Sequence, residues 1–202
     1  MKRCFRADGA GTPFRISVPA AVVLAVLLAA CRSTSPSVCR LDVPFLEQSE
    51  GRCGTAAVAM VLRFHGADPD MDELDRDIHL PALEGSIPAL LVEGARTQGW
   101  AADAFRCSEE EFRRFLADGV PLIVLLAPSG RDPRGHFVVA TGFNFRTGAL
   151  RVHSGSRSHQ WWKASKWRPP WEAAGCRVVW IRPEEGGPRN LQPASGRSMG
   201  GK

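Results

Sequence analysis

Gln48-Ser-Glu-Gly-Arg-Cys53-Gly54-Thr55 runs straight into the apolar segment Ala56-Ala-Val-Ala-Met-Val-Leu62, and this stretch decides the fold. The segment is apolar nearly all round, which predicts a core helix over 53–64 that stops at Gly66. Cys53 then stands at the mouth of a buried helix, where unpaired backbone N–H groups and the helix dipole favour negative charge. A thiol placed there loses its proton more readily, and the thiolate is the nucleophile. Gly54 has no side chain to keep another chain away from the sulfur. Gln48 stands five residues upstream of Cys53.

Well downstream, Gly135-His136-Phe-Val-Val-Ala140 places a histidine at the start of an apolar strand. An imidazole there can pair with a thiolate and later protonate a leaving amine. A cysteine first and a histidine on a later strand is the order of a papain-like hydrolase. These residues resemble the bacteriocin-processing, double-glycine leader peptidases, a branch of the papain-like cysteine peptidases, over Val43 to Pro183. The resemblance implies an α+β papain-like fold, with the nucleophile helix packed on a C-terminal antiparallel sheet. It implies Cys53 as nucleophile, His136 as base, and Gln48 as a donor to the oxyanion beside the backbone N–H of Cys53. It also implies a peptide or protein substrate, an exporter as candidate partner, and no cofactor or metal.

Two departures from the family pattern stand out. The usual spacing from Gln to Cys is six residues; here it is five, with Glu47 in the sixth place. The family ends its next strand in Asp-Pro. Matching Leu150 and Val152 to the alternating apolar residues of that strand puts Ser154 and Gly155 at those positions. A hydroxyl can orient an imidazole but adds no negative charge. Either the enzyme is slow, or a carboxylate such as Asp132 comes from elsewhere. The same gap suits an inactive peptide-binding module that presents leader peptides to an exporter. Amide or isopeptide cleavage on the same dyad is a third reading.

The chain ends point to export. Lys2, Arg3, Arg6 and Arg15 precede an uncharged apolar run from Ile16 to Ala30, fifteen residues and too short to span a bilayer by itself. The run closes in Leu28-Ala29-Ala30-Cys31, which looks like a bacterial lipobox. Residues 1–30 are thus expected to be a lipoprotein signal peptide, with Cys31 lipidated and 31–39 a tether. Arg32 after the cysteine, in place of Asp, suggests the periplasmic face of the outer membrane. One domain is expected over 40–182, followed by a Gly-, Pro- and Ser-rich disordered tail over 183–202. The formal charge is +5, and removal of residues 1–30 lowers it to a mild +2. That is no argument for a nucleic-acid partner.

Within the domain the pattern predicts an extended Leu41–Leu46, an acidic-led helix over 70–78 and a helix over 86–98 capped by Ser86. A strand over 100–106, a helix opened by the capping box Ser108-Glu-Glu-Glu111, and strands over 121–127, 136–143, 149–154 and 177–181 complete it. Cys39 and Cys176 each precede a presumed strand and are the first choice for a disulfide, leaving Cys107 as a small partly buried residue. His65, His79 and His159 read as surface or cap residues, and His153 should point away from Ser154. His153 and His159 lack a third ligand at any familiar zinc spacing. Trp161, Trp162, Trp167 and Trp171 are expected to cap the sheet, with a groove wall as their second role. No phosphate-cradling Gly-x-x-x-x-Gly-Lys-Ser/Thr loop appears.

Overall fold

The computed structural model describes residues 37–129 and 134–184, all within one compact unit. The expected signal segment, Cys31, the tail beyond residue 184 and Asp132 lie outside the described residues. The described elements begin with β1 (Val38–Arg40), α1 (Cys53–Phe64), α2 (Met71–Ile78), a single 3-10 turn (Pro81–Leu83) and α3 (Pro88–Thr97). They continue with β2 (Trp100–Arg106), α4 (Glu109–Ala117), β3 (Leu122–Leu126), β4 (His136–Asn144) and β5 (Ala149–Ser154). The last are β6 (Arg157–Trp162), α5 (Ala164–Ala173) and β7 (Arg177–Pro183). The sheet runs β2-β7-β3-β4-β5-β6, every neighbour antiparallel, with β1 added on β4. This is the α+β arrangement the sequence leads one to expect.

Period-two alternation gives the sheet two covered faces. On one face Ile123, Phe137, Val139, Val179 and Ile181 pack against α1, which buries every residue from Gly54 to Leu62. Helices α2 and α3 seal that side through Leu74, Ile78 and Leu91. The opposite face, with Val124, Val138, Val152 and Val178, is covered by Phe112 and Leu116 of α4 and by Trp167 and Trp171 of α5. Each fully buried aliphatic or aromatic side chain contributes about 1.5–3 kcal/mol, so both faces hold the sheet. Trp162, Trp167 and Trp171 belong to this second side, Trp161 is exposed on β6, and none of the four lines the cavity described below. The expectation that they wall a groove is therefore corrected; Trp162, Trp167 and Trp171 close a core.

Local chemistry sets most element ends. Asp70 caps α2 by accepting from the backbone N–H of Asp72 and Glu73, and Ser108 and Glu111 form the expected reciprocal box on α4. Ser86 does not cap α3. Pro88 forces the residue before it into extended backbone, so Ile87, at φ −120°, becomes the cap and the helix starts at the proline. The expected extended 41–46 also shifts: ladder pairing lies at Val38–Arg40, and Leu41 adds one further bond to the carbonyl of Thr141. Strand β6 and helix α5 have no counterpart in the sequence reading. Helix α5 holds despite Pro169 and Pro170, because two buried indoles anchor it. Trp167 donates to the Gly148 carbonyl at 3.0 Å and Trp171 to that of Arg177 at 3.3 Å.

The expected Cys39–Cys176 pairing is not what the structure assembles. Cys39 pairs with Phe143 across β1 and β4, and its Sγ accepts from the Phe143 N–H. The register Val178–Val124–Val138 places Cys176 at the His136 end of the sheet instead. Some seven residues of strand, on the order of 20 Å, lie between those levels.

His153 does point away from Ser154 and is fully buried. Its Nδ1 accepts from the His159 backbone N–H, so its Nε2–H donates to the Val43 carbonyl at 2.9 Å. Burial pushes its pKa below the ordinary 6.5, and burial does the same to His65, which stacks on Trp100. Both groups take up protons more readily unfolded than folded. Their stability contribution is therefore complete above about pH 6.5 and is lost as pH falls below it. In nitrogen-resolved NMR at pH 6.5, where a free imidazole is about half protonated, the His153 ring should be mostly the neutral Nε2–H tautomer, and the Tm should fall as the pH drops below about 6.5. A His153 that titrates at or above 6.5 would contradict this assignment.

Candidate active site

The N-terminus of α1, the start of β4 and the segment between α2 and α3 enclose a cavity of about 550 Å³. Gln48, Cys53 and His136 all line it. Cys53 is the first residue of α1; Arg52 precedes it without supplying a side-chain cap, and no acidic residue lies in the first turn. The helix end is thus left with its partial positive charge uncompensated by a cap. Arg52 instead forms an ion pair with Asp75 of α2, and Thr55 Oγ1 donates to the same carboxylate at 3.0 Å. Asp75 thereby fastens α2 to the first turn of α1.

His136 opens β4 after Gly135, which turns at φ +82° with the Leu126 carbonyl 2.9 Å from where a Cβ would sit. Only glycine fits that approach. The Nε2 of His136 lies 3.0 Å from Ser154 Oγ. Ser154 therefore occupies the orienting position behind the imidazole, at the end of β5. Because Nε2 is engaged there, proton exchange with a thiol would run through Nδ1.

Gln48 is held more tightly than a simple oxyanion donor requires. Its Nε2 donates to the carbonyls of Cys53 at 3.2 Å and Phe137 at 3.0 Å. Its Oε1 accepts from the N–H of Gly155 at 2.6 Å, and its own backbone N–H donates to the Gly155 carbonyl. One amide thus joins α1, β4 and the β5–β6 turn, with both amide protons already engaged.

The rim contains residues that no local sequence signal marked. Arg134 bridges Glu84 at 2.7 Å and Glu50 at 3.3 Å, tying the loop before β4 to the segments on either side of the opening. Leu83 and Ile87, two of the exposed large apolar residues, line the same rim. Ser86 turns its hydroxyl inward toward Gly54; a Cβ on Gly54 would lie 2.7 Å from that oxygen. Among the described residues the buried Ser86 Oγ has no hydrogen-bond partner. Beside the rim, His79 Nδ1 lies 3.3 Å from the Gly51 carbonyl. Among the described residues no group of three or more His, Cys, Asp or Glu could hold a metal ion.

The chain belongs to the Peptidase_C39 like family, whose model matches residues 40–179. The peptidase domain of Streptococcus ComA, a bifunctional ABC transporter involved in quorum sensing, has the same fold. It is 17% identical with a TM-score of 0.58, covering 69% of this chain and 97% of its own. A putative C39-like peptidase from Bacillus anthracis is 17% identical, with a TM-score of 0.59 over 73% of this chain and 98% of its own. A double-glycine motif protease from an AMS/PCAT transporter, solved with its leader peptide, is 19% identical with a TM-score of 0.57, covering 72% and 94%. No curated protein matches the chain.

The three polar contacts of Gln48 predict a structural penalty separate from any chemistry. Gln48→Ala should lower unfolding stability in urea by about 2–3 kcal/mol, since it takes a partner from two carbonyls and an N–H in a half-buried setting. Ser154→Ala, which removes one contact, should cost less than about 1 kcal/mol.

Proposed function

We propose that this chain is a lipid-anchored cysteine peptidase. The observation that carries the reading is one cavity lined by Cys53 at a helix N-terminus and His136 at a strand start, with Ser154 against the far ring nitrogen. In the proposed reaction Cys53 Sγ adds to a peptide carbonyl as His136 takes up the thiol proton. The tetrahedral oxyanion is met at the N-terminus of α1 by the backbone N–H of Cys53. A contribution from Gln48 needs one of its amide protons to leave its carbonyl acceptor as substrate arrives. Collapse expels the amine, which His136 protonates, and water then resolves the thioester. The leader peptide bound by the AMS/PCAT relative supports a peptide substrate, with an exporter as candidate partner.

A second reading has its own support. Ser154 gives the imidazole no negative partner, and both Gln48 amide protons are occupied. These features suit a module that binds leader peptides without turning them over. Alkylation of Cys53 by iodoacetamide separates the two. A peptidase should show a Cys53 thiolate persisting well below the free-thiol pKa of about 8.5, and losing it in His136→Ala. Ser154→Asp should extend that thiolate to lower pH, by adding charge beside the imidazolium. An ordinary thiol titration indifferent to His136 would leave the binding module as the better account.

Anchoring is proposed through Cys31, on the periplasmic face of the outer membrane. Cys31→Ser should move the protein from the detergent-extracted membrane fraction to the soluble fraction. Retention of that variant in the membrane would refute the lipid anchor.

A further inference from the structure

Cys107 follows directly on β2, and Cys176 directly precedes β7. The β2–β7 ladder pairs Trp100 with Pro183 and continues unbroken to Arg106 with Arg177. The next pair in that register is Cys107 with Cys176, and the Cys107 N–H donates to the Cys176 carbonyl at 3.0 Å. Residues directly opposed in an antiparallel pair project to the same face, with Cα atoms about 4.5–5.5 Å apart. Disulfides bridge Cα separations of about 4.4–6.8 Å. Both residues meet the same core: Cys107 is 2% exposed within the α4–α5 side, and Cys176 packs half-buried against that cluster.

The backbone adds a second observation. Cys176 sits at φ +56°, directly after Gly175 at φ +76°. Two consecutive left-handed residues turn the chain out of α5 and deliver position 176 into register with 107. Left-handed backbone is uncommon for a side chain such as cysteine. The position therefore carries a thiol where glycine or asparagine would fit more easily.

We propose that Cys107 and Cys176 form a dithiol site that closes to a disulfide by exchange with a disulfide-bonded donor. The Cys176 thiolate attacks the donor, its S–S bond breaks, and one donor thiolate leaves. The Cys107 thiolate then attacks the Cys176 sulfur of the mixed disulfide and releases the second donor thiolate. Two protein thiols are oxidised, one donor disulfide is reduced to two thiols, and the two protein protons pass to the leaving thiolates. Cys176 enters first because it is the more accessible. Burial, with Glu111 and Cys176 nearby, pushes the Cys107 thiol up to about 12, which makes ring closure the slow step. The resulting loop runs through α4, β3 to β6 and α5, and closing a loop of that length restrains the unfolded chain strongly. Cys53 packs with the core on the other face of the sheet and is not drawn into the exchange.

The test uses the full chain in mild detergent, reduced and then incubated with oxidised glutathione. Non-reducing peptide mapping should recover the Cys107 and Cys176 peptides as one linked species, two hydrogens lighter than their sum. The Tm should rise by about 5–10 °C over the reduced protein. Cys176→Ser should abolish both the link and the rise while its reduced Tm stays near that of the reduced parent. Separate Cys107 and Cys176 peptides, glutathione adducts alone, or a link through Cys39 would overturn the proposal. Cys53→Ala should behave as the parent does, so the outcome is independent of whether the chain is a peptidase.

Discussion

Three segments distant in sequence meet at the side-chain amide of Gln48. It holds the carbonyl of Cys53, the carbonyl of Phe137 and the N–H of Gly155. The chemistry of those partners fixes its orientation, oxygen toward the N–H and nitrogen toward the two carbonyls. Each partner adjoins or includes a residue of the candidate machinery: Cys53 itself, His136 next to Phe137, and Ser154 next to Gly155. A fully satisfied polar junction of this kind rigidifies what it joins. The spacing between thiol, imidazole and hydroxyl therefore depends on an amide that belongs to a loop.

The sheet divides the labour of the molecule. Its α1 face supports the cavity, and that helix is buried along its length because it must be gripped from every side. The opposite face is closed by aromatic stacking, with Phe112 5.5 Å from Trp167 and 5.3 Å from Trp171. Strand β3 serves both, sending Ile123 to one core and Val124 to the other. Changes to the aromatic side should consequently act on the site only through the strands.

What was legible in the sequence followed from short-range physics. The apolar run that follows the Cys-Gly pair reads as a buried helix, and the Ser108 box states its own hydrogen bonds. Cys53, His136 and Ser154 could be singled out because each sits at an element end, and Gln48 because of its spacing from the Cys-Gly pair. Strand β6 escaped notice because Arg157-Ser-His-Gln-Trp-Trp162 is an edge strand without apolar alternation. Helix α5 was hidden by its prolines, since the indoles that override them act through tertiary contacts. The Arg134 bridge and the inward turn of Ser86 join separate loops, and no local pattern encodes such meetings. The cysteine pairing failed for a related reason: it depends on ladder register, which spacing from a strand start does not supply.

Serine behind the imidazole separates the orientation of the ring from its charge. A carboxylate there would favour the imidazolium before substrate arrives, so that thiolate and imidazolium stand ready as an ion pair. The Ser154 hydroxyl can accept from an Nε2–H or donate to a bare Nε2, and it is neutral in either role. It selects a ring orientation without selecting a charge state. Ring placement and ring charge are thus set by different groups, and a substitution can change one without the other.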